Sequence, residues 1–244
     1  MAVTLAGRSS ASAARAEGLA QVPSESDLVA WADIVLSILP PGEALALARR
    51  LAPLLAGKVF VDCNAISPET VRAVGAAVPE AGFCDAGIIG GPPKADDAGP
   101  RFYASGDLAA RLVSLREIGL DWRPIEGGIG AASALKMSYA GITKGLTALG
   151  AAMALGASRA GAADALRAEL AYSQPEILGM LQASMPPMFD KAYRWVAEME
   201  EIAAFHGGET AGLYRAAAAL YRLDRATPAE AGPVAILREF YRKD

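Results

Sequence analysis

Histidine is nearly absent: His206 is the only one in 244 residues. A histidine-based hydrolytic relay would have to run through it, and no serine stands in the G-x-S-x-G turn such relays use. His206 precedes Gly207-Gly208 at what reads as a helix end, so it is expected to meet the helix terminus rather than a substrate. Cysteine is scarce too. Cys63 and Cys84 each fall inside a strand-like run, which reads as buried thiols and excludes a disulfide framework. No Cys/His cluster has zinc spacing, and no metal is expected. Long apolar runs are missing as well. The richest, Ile142 to Leu155, is broken by Lys144 and glycines, short of the roughly 18 residues of a membrane span. There is no basic excess either, and the net charge of −4 argues against nucleic acid as partner. The N-terminus lacks the charged-then-apolar order of a signal peptide, so a cytoplasmic chain without a membrane partner is expected.

What is present is a hydrophobic fraction of 53%, enough for a sizeable core. Strand-like runs occur at Ala2 to Ala6, Asp33 to Leu39, Lys58 to Asp62, Gly82 to Ile89, Arg101 to Ser105 and Asp121 to Ile125. Between them lie helical stretches: a short one ending near Ala16, then 42–55, 68–77 and 108–117, with Ser67 as N-cap and Pro68 at the first helical position. Strand, helix, strand at this spacing predicts right-handed βαβ units and a mostly parallel sheet. Ligands of such sheets bind beyond the carboxyl ends of the strands, where Gly7 to Ser10, Pro40-Pro41, Asn64 to Ser67 and Gly90 to Pro93 stand. After Gly130 the pattern is helical only, with segments expected at 131–157, 161–172, 176–183, 187–205, 208–224 and 228–242. The expected organisation is an α/β domain over 1–126 and an all-α domain over 127–244, joined by a long spine helix.

The pivot is Gly127-Gly-Ile-Gly130, followed by an Ala-rich helix with Lys136 in its first turns. On the helical period Ser133, Lys136, Tyr139, Ala140 and Thr143 fall near one face. Lys136 is either an exposed helix lysine or a proton donor facing a cleft.

These segments, in this order, resemble the β-hydroxyacid dehydrogenase superfamily, which includes 6-phosphogluconate dehydrogenase and 3-hydroxyisobutyrate dehydrogenase. Asp33 to Pro41 resembles the family's strand against the adenosine side of the cofactor, which implies cofactor contacts at Leu39 and Pro40. Val61 to Pro68 resembles its D-x-S-T-x-x-P segment near the nicotinamide, implying Asn64. Asp85 to Gly91 stands where the family carries its D-A-P-V-S-G-G substrate loop, implying substrate contacts at Gly90 and Gly91. Gly128 to Lys136 resembles its G-x-G-x-x-x-K-x-x-N-N catalytic segment, placing Lys136 on the catalytic lysine. The family's fold implies a Rossmann-like domain, here beginning at the second strand, so that about one βα unit of roughly 30 residues is expected to be missing. The resemblance further implies a nicotinamide cofactor, a small hydroxy acid as substrate and a homodimer.

Two other departures accompany the missing unit. The loop's Pro and Ser are Gly87 and Ile89 here, so a carboxylate-binding serine is lost. The Asn pair after the lysine is Tyr139 and Ala140, with Tyr139 able to hydrogen-bond to substrate in its place. Arg8, Ser9 and Ser10 end the second strand where NAD-specific enzymes place an acid, which favours NADP with NAD as the other choice. A polar cap on the next helix accounts for Ser9 or Ser10 almost as well. Arg194 and Glu198 read as an i,i+4 surface pair, and Lys144 as structural. Two further functions stay open: a cofactor-poor remnant kept as a dimerising or ligand-binding module, and an imine reductase on the same scaffold.

Overall fold

A computed structural model describes residues 1–5, 13–14, 16–91, 99–223 and 232–242. The chain divides into two compact units, Met1–Lys136 and Met137–Asp244.

The first unit is α/β. Strand β1 (Ala2–Thr4) pairs in parallel with β2 (Ala20–Val22) as a two-stranded sheet of its own. Helix α1 (Glu25–Trp31) follows, opened by Ser24, whose hydroxyl accepts the Asp27 N–H at 3.2 Å. Neither β2 nor α1 was legible as an element, because Ala20-Gln-Val22 is too short to show a period. Strand β3 (Ile34–Ser37) is the apolar run that Pro40-Pro41 stops. Then come α2 (Ala44–Leu51), β4 (Val59–Asp62), α3 (Pro68–Ala76), β5 (Gly82–Ile89), β6 (Arg101–Ser105) and β7 (Asp121–Pro124). The five strands β3 to β7 form one sheet in chain order, parallel except for the antiparallel β5–β6 pair. The sequence predicted an α-helix over 108–117. The chain instead forms 3₁₀ turns over Arg111–Ile118, ended by Gly119 in the left-handed conformation.

Both faces of this sheet are covered. Val29, Leu47, Leu51, Phe60, Val71 and Val74 pack on one side, from α1, α2, β4 and α3. Phe102, Leu112, Leu115 and Trp122 pack on the other with both cysteines, and the Trp122 indole N–H donates to the Ala109 carbonyl at 2.9 Å. Cys63 and Cys84 are free, buried thiols, and burial pushes the Cys84 thiol up to about 12. Among the described residues, one edge of β1 and one edge of β3 carry no strand. A cavity of about 420 Å³ has Met1 and Ala2 on one wall, Asp33 to Leu36 on another, and exposed Trp31 and Ile118 at its rim.

Helix α4 (Ala131–Arg159) begins in the first unit and runs through the division at Lys136/Met137. By length and composition it meets the requirement for a membrane span, with an 18-residue window of mean hydropathy 1.2 of which 39% is buried within the chain. The rest of the second unit is α5 (Ala163–Ser173), α6 (Pro175–His206), α7 (Ala211–Leu223) and α8 (Gly232–Phe240). Helix α6 corrects the expectation of two helices with a break before Pro187. It is continuous through Pro186-Pro187, at the cost of the backbone N–H that each proline lacks. The Arg194–Glu198 pairing also fails. Glu198 instead forms a largely buried ion pair with Lys144 of α4, and Lys144 lies 5.3 Å from the Trp195 ring centre. Arg194 hydrogen-bonds and stacks on Tyr193. His206 closes α6 as its last residue and stacks on Tyr214 at 5.1 Å.

Candidate active site at the carboxyl ends of the strands

Register alone assembles the floor of the site. Ser37 of β3 pairs with Asp62 of β4, Asp62 with Asp85 of β5, and Asp85 with Ser105 of β6. Register partners point to the same face of a sheet. A row of four polar side chains, all buried, therefore crosses four strands at the ends of β3 and β4. Such a row is unstable unless every group finds a partner, and here the partners come from the loops.

Asn64 serves the left half. Its side-chain N–H groups donate to Asp62 at 2.7 Å and to Ser37 at 2.9 Å, while its carbonyl accepts the Leu39 N–H at 2.5 Å. The Asn64 backbone N–H adds a fourth bond, to the other Asp62 oxygen at 3.0 Å. Asn64 thus ties the β4 loop to Leu39 and to exposed Pro40 beyond β3. Ser67 is the N-cap of α3, accepting the Thr70 N–H at 3.2 Å.

Asp85 serves the right half. It accepts the Gly130 N–H at 2.9 Å, the Ser133 N–H at 3.1 Å, the Ser133 hydroxyl at 2.7 Å and the Ser105 hydroxyl at 3.1 Å. Ser105 in turn accepts the Ala132 N–H at 3.0 Å. The start of a helix is a natural anion site, and here the chain's own carboxylate occupies it. The Gly127-to-Gly130 turn therefore cannot offer those N–H groups to a pyrophosphate. Gly130 has φ +106, and a Cβ there would meet Arg72 at 3.1 Å and Pro68 at 3.2 Å, so its role is close packing on α3.

Lys136 follows Ser133 by three residues and is half-buried. A Cβ on Gly87 would stand 2.9 Å from both the Lys136 Cβ and the Ala132 carbonyl oxygen. That contact explains the departure at residue 87: α4 crosses β5 too closely for any side chain. Ile89 is buried in the core. The polar row on α4 separates, since Ser133 and Ala140 are buried while Tyr139 is exposed. Gly90 and Gly91 stand exposed after β5, Gly90 with φ +128. Arg8, Ser9 and Ser10 lie outside the described residues, as do Pro92 and Pro93. Among the described residues no group of three or more His, Cys, Asp or Glu could hold a metal.

Burial pushes the Asp62 carboxyl up to about 6 against the bonds from Asn64, with the Asp85 charge adding to the rise. The folded state therefore binds the proton more tightly than the unfolded chain, whose carboxyl has the ordinary value of 3.8. The stability from neutral Asp62 is full below that ordinary value and is lost as pH rises through about 6. Its share amounts to about 3 kcal/mol. Carbon-detected titration of the side-chain carboxyls should show one midpoint near 6; a midpoint for Asp62 within the usual carboxylate range would refute the assignment.

Residues 1–113 match the NAD binding domain of 6-phosphogluconate dehydrogenase, and residues 157–223 match a domain of unknown function, DUF1932. A conserved protein of unknown function, structurally similar to 3-hydroxyacid dehydrogenases, is 30% identical with a TM-score of 0.66. The match covers 93% of this chain and 90% of that one. The chain belongs to the 6-phosphogluconate dehydrogenase-like superfamily.

Within that superfamily the 3-hydroxyisobutyrate dehydrogenase of Mycobacterium tuberculosis has a TM-score of 0.65 at 24% identity, over 94% of this chain and 86% of that one. Imine reductases share the same fold. An uncharacterized 28.5 kDa protein of Methanothermus fervidus is 33% identical over 123 residues, which is 50% of this chain and 47% of that protein. This chain therefore spans about half the length of its curated relative. The Rossmann-like α/β fold and helical C-terminal region implied by the sequence are both present.

What sequence reading missed was Asp85 with Ser105 and Ser133. These lie 20 and 48 residues from Asp85 in the chain, and no spacing rule joins them.

Proposed function

We propose that this chain is an NAD(P)-dependent oxidoreductase acting between a small hydroxy acid, or a related carbinol, and its carbonyl form. The observation that carries this reading is the seat of Lys136. It stands half-buried on α4 directly over the Gly87 end of β5, at the carboxyl side of the sheet. The row beside it, Ser37, Asp62, Asp85 and Ser105, is engaged in hydrogen bonds with its own loops, which supports Lys136 as the proton-carrying group of the site.

The described residues fit the two ends of a dinucleotide better than its middle. Leu39, Pro40 and Asn64 border the ends of β3 and β4, and Gly90-Gly91 follow β5 with room for backbone approach. The helix starts at α1, α3 and α4 are closed by Ser24, Ser67 and Asp85 and offer no pyrophosphate cradle. Arg8 with Ser9 and Ser10 supports NADP over NAD, since an arginine suits a 2′-phosphate. The bound nicotinamide supplies or accepts the hydride. Lys136 gives the proton to the developing alkoxide in reduction and takes it back in oxidation, an ammonium near that oxygen also stabilising its charge. Tyr139, exposed three residues on, is a second hydrogen-bonding group for the substrate.

The helical unit supports assembly as a homodimer. Ile142, Leu146, Leu149 and Met153 stand exposed along one stripe of α4 at i, i+4, i+7 and i+11. A cytoplasmic enzyme with no nucleic-acid or membrane partner completes the reading. Its test is a titration of the 244-residue chain with NADPH and NADH by calorimetry, followed by turnover of a panel of hydroxy acids and imines. Light scattering on the same samples reads the dimer. Saturable binding with hydroxy-acid turnover is expected. Failure to bind either cofactor would leave the remnant reading, and turnover of imines alone would select the reductase one.

A further inference from the structure

Asp85 is the only carboxylate among the described residues that bonds both the sheet and the start of α4. Two of its four hydrogen bonds come from backbone N–H groups at the start of α4, from Gly130 just before the helix and Ser133 in its first turn. The other two come from hydroxyls, Ser133 on the helix and Ser105 on the neighbouring strand. Ser105 closes the ring by accepting the Ala132 N–H. Three points along less than two turns of chain are thereby fixed to β5 and β6: the Gly130 entry, the Ala132–Ser133 pair and, through the Ala132–Lys136 spacing of four residues, the stem of Lys136. Gly87, two residues after Asp85 and so on the same face of β5, lets that stem lie against the strand.

We propose that Asp85 is a positioning residue of the active site, holding Lys136 in place by acting as the fixed counter-anion of the α4 N-terminus. The inference rests on the reading of Lys136 as proton donor. It adds that the position of the lysine is set electrostatically, from one helical turn away. A neutral cap would satisfy the same donors with one oxygen instead of two, and the helix could then roll about its axis. Charge-assisted bonds are shorter and about twice as strong as neutral ones, and the carboxylate also opposes the positive end of the helix dipole. A displacement of Lys136 by about 1 Å is enough to lower turnover on the order of a hundredfold.

The test uses reductive ¹³C-methylation of the six lysines of the full chain, with the Lys136 signal assigned through Lys136→Arg. In Asp85→Asn the Lys136 methyl signal should move or broaden, while the Lys58 and Lys144 signals stay in place. Turnover should fall on the order of a hundredfold through kcat, with the cofactor KM unchanged. Ser133→Ala, which removes one bond and keeps a good helix former, should move the same signal by less. It replaces Asp85→Asn if that variant does not fold. An unmoved Lys136 signal in a folded variant, whatever the loss of melting temperature, overturns the proposal. The methyl signal needs no substrate. If Lys136 proves dispensable for turnover, the functional reading falls while the positioning of its side chain by Asp85 is still decided.

Discussion

Lys136→Met should cut turnover by about 10²- to 10⁴-fold, the usual range for removing a general acid or base, while cofactor affinity stays within about twofold. Methionine keeps the length and apolar stem of lysine, so the contact of residue 136 with Gly87 survives and the fold is not disturbed. Lys136→Arg should be almost as poor. Its guanidinium stays charged at every working pH, so it cannot return a proton in the oxidative direction. The two variants together separate charge from proton transfer. Full activity in Lys136→Met would remove the residue from the mechanism, and recovery in Lys136→Arg would reduce its role to holding an anion. The assay is initial-rate loss of nicotinamide absorbance on the best substrate of the panel.

Asn64→Ala should destabilise the first unit by about 3–5 kcal/mol. It deletes three side-chain hydrogen bonds at once, to Asp62, Ser37 and Leu39. Each leaves a polar partner behind, and a buried orphan costs about 1–3 kcal/mol. The loss should be smaller at pH 5 than at pH 8, because Asp62 with its carboxyl near 6 sheds its charge on acidification. Ser67→Ala, which removes one helix cap in the same loop, provides the contrast at about 1 kcal/mol. Hydrogen exchange at the β3 and β4 amides measures both. Equal losses for the two variants would show that Asn64 is an ordinary loop residue.

The alternation of strands and helices, the continuous apolar run of β3, the Ser67-Pro68 start of α3 and the helix-only second half were all legible in the sequence. Each depends on neighbours within a few residues, which is the range over which periodicity and capping act. The missed features are of three kinds. Strand β2 and helix α1 are too short for a period to show. The unbroken α6 shows packing overriding the local penalty of Pro186-Pro187. The polar row was invisible for another reason: Ser37, Asp62, Asp85 and Ser105 become neighbours only through strand register. Lys136 could be singled out from its place in the chain. Nothing local said that Gly87 would be its platform or Asp85 the anchor of its helix.

The two-stranded pairing of β1 with β2 has a consequence for how the molecule opens. Three residues per strand in a sheet of two is below what holds together in water unaided. The five-stranded sheet, covered on both faces, opens only with the unit as a whole. Native-state exchange should therefore separate two populations of amides. Ala2 to Thr4 and Ala20 to Val22 would exchange through small local openings, and β4 and β5 only through global unfolding. A melting curve of the intact chain then reports the larger sheet and is blind to the ribbon beside it.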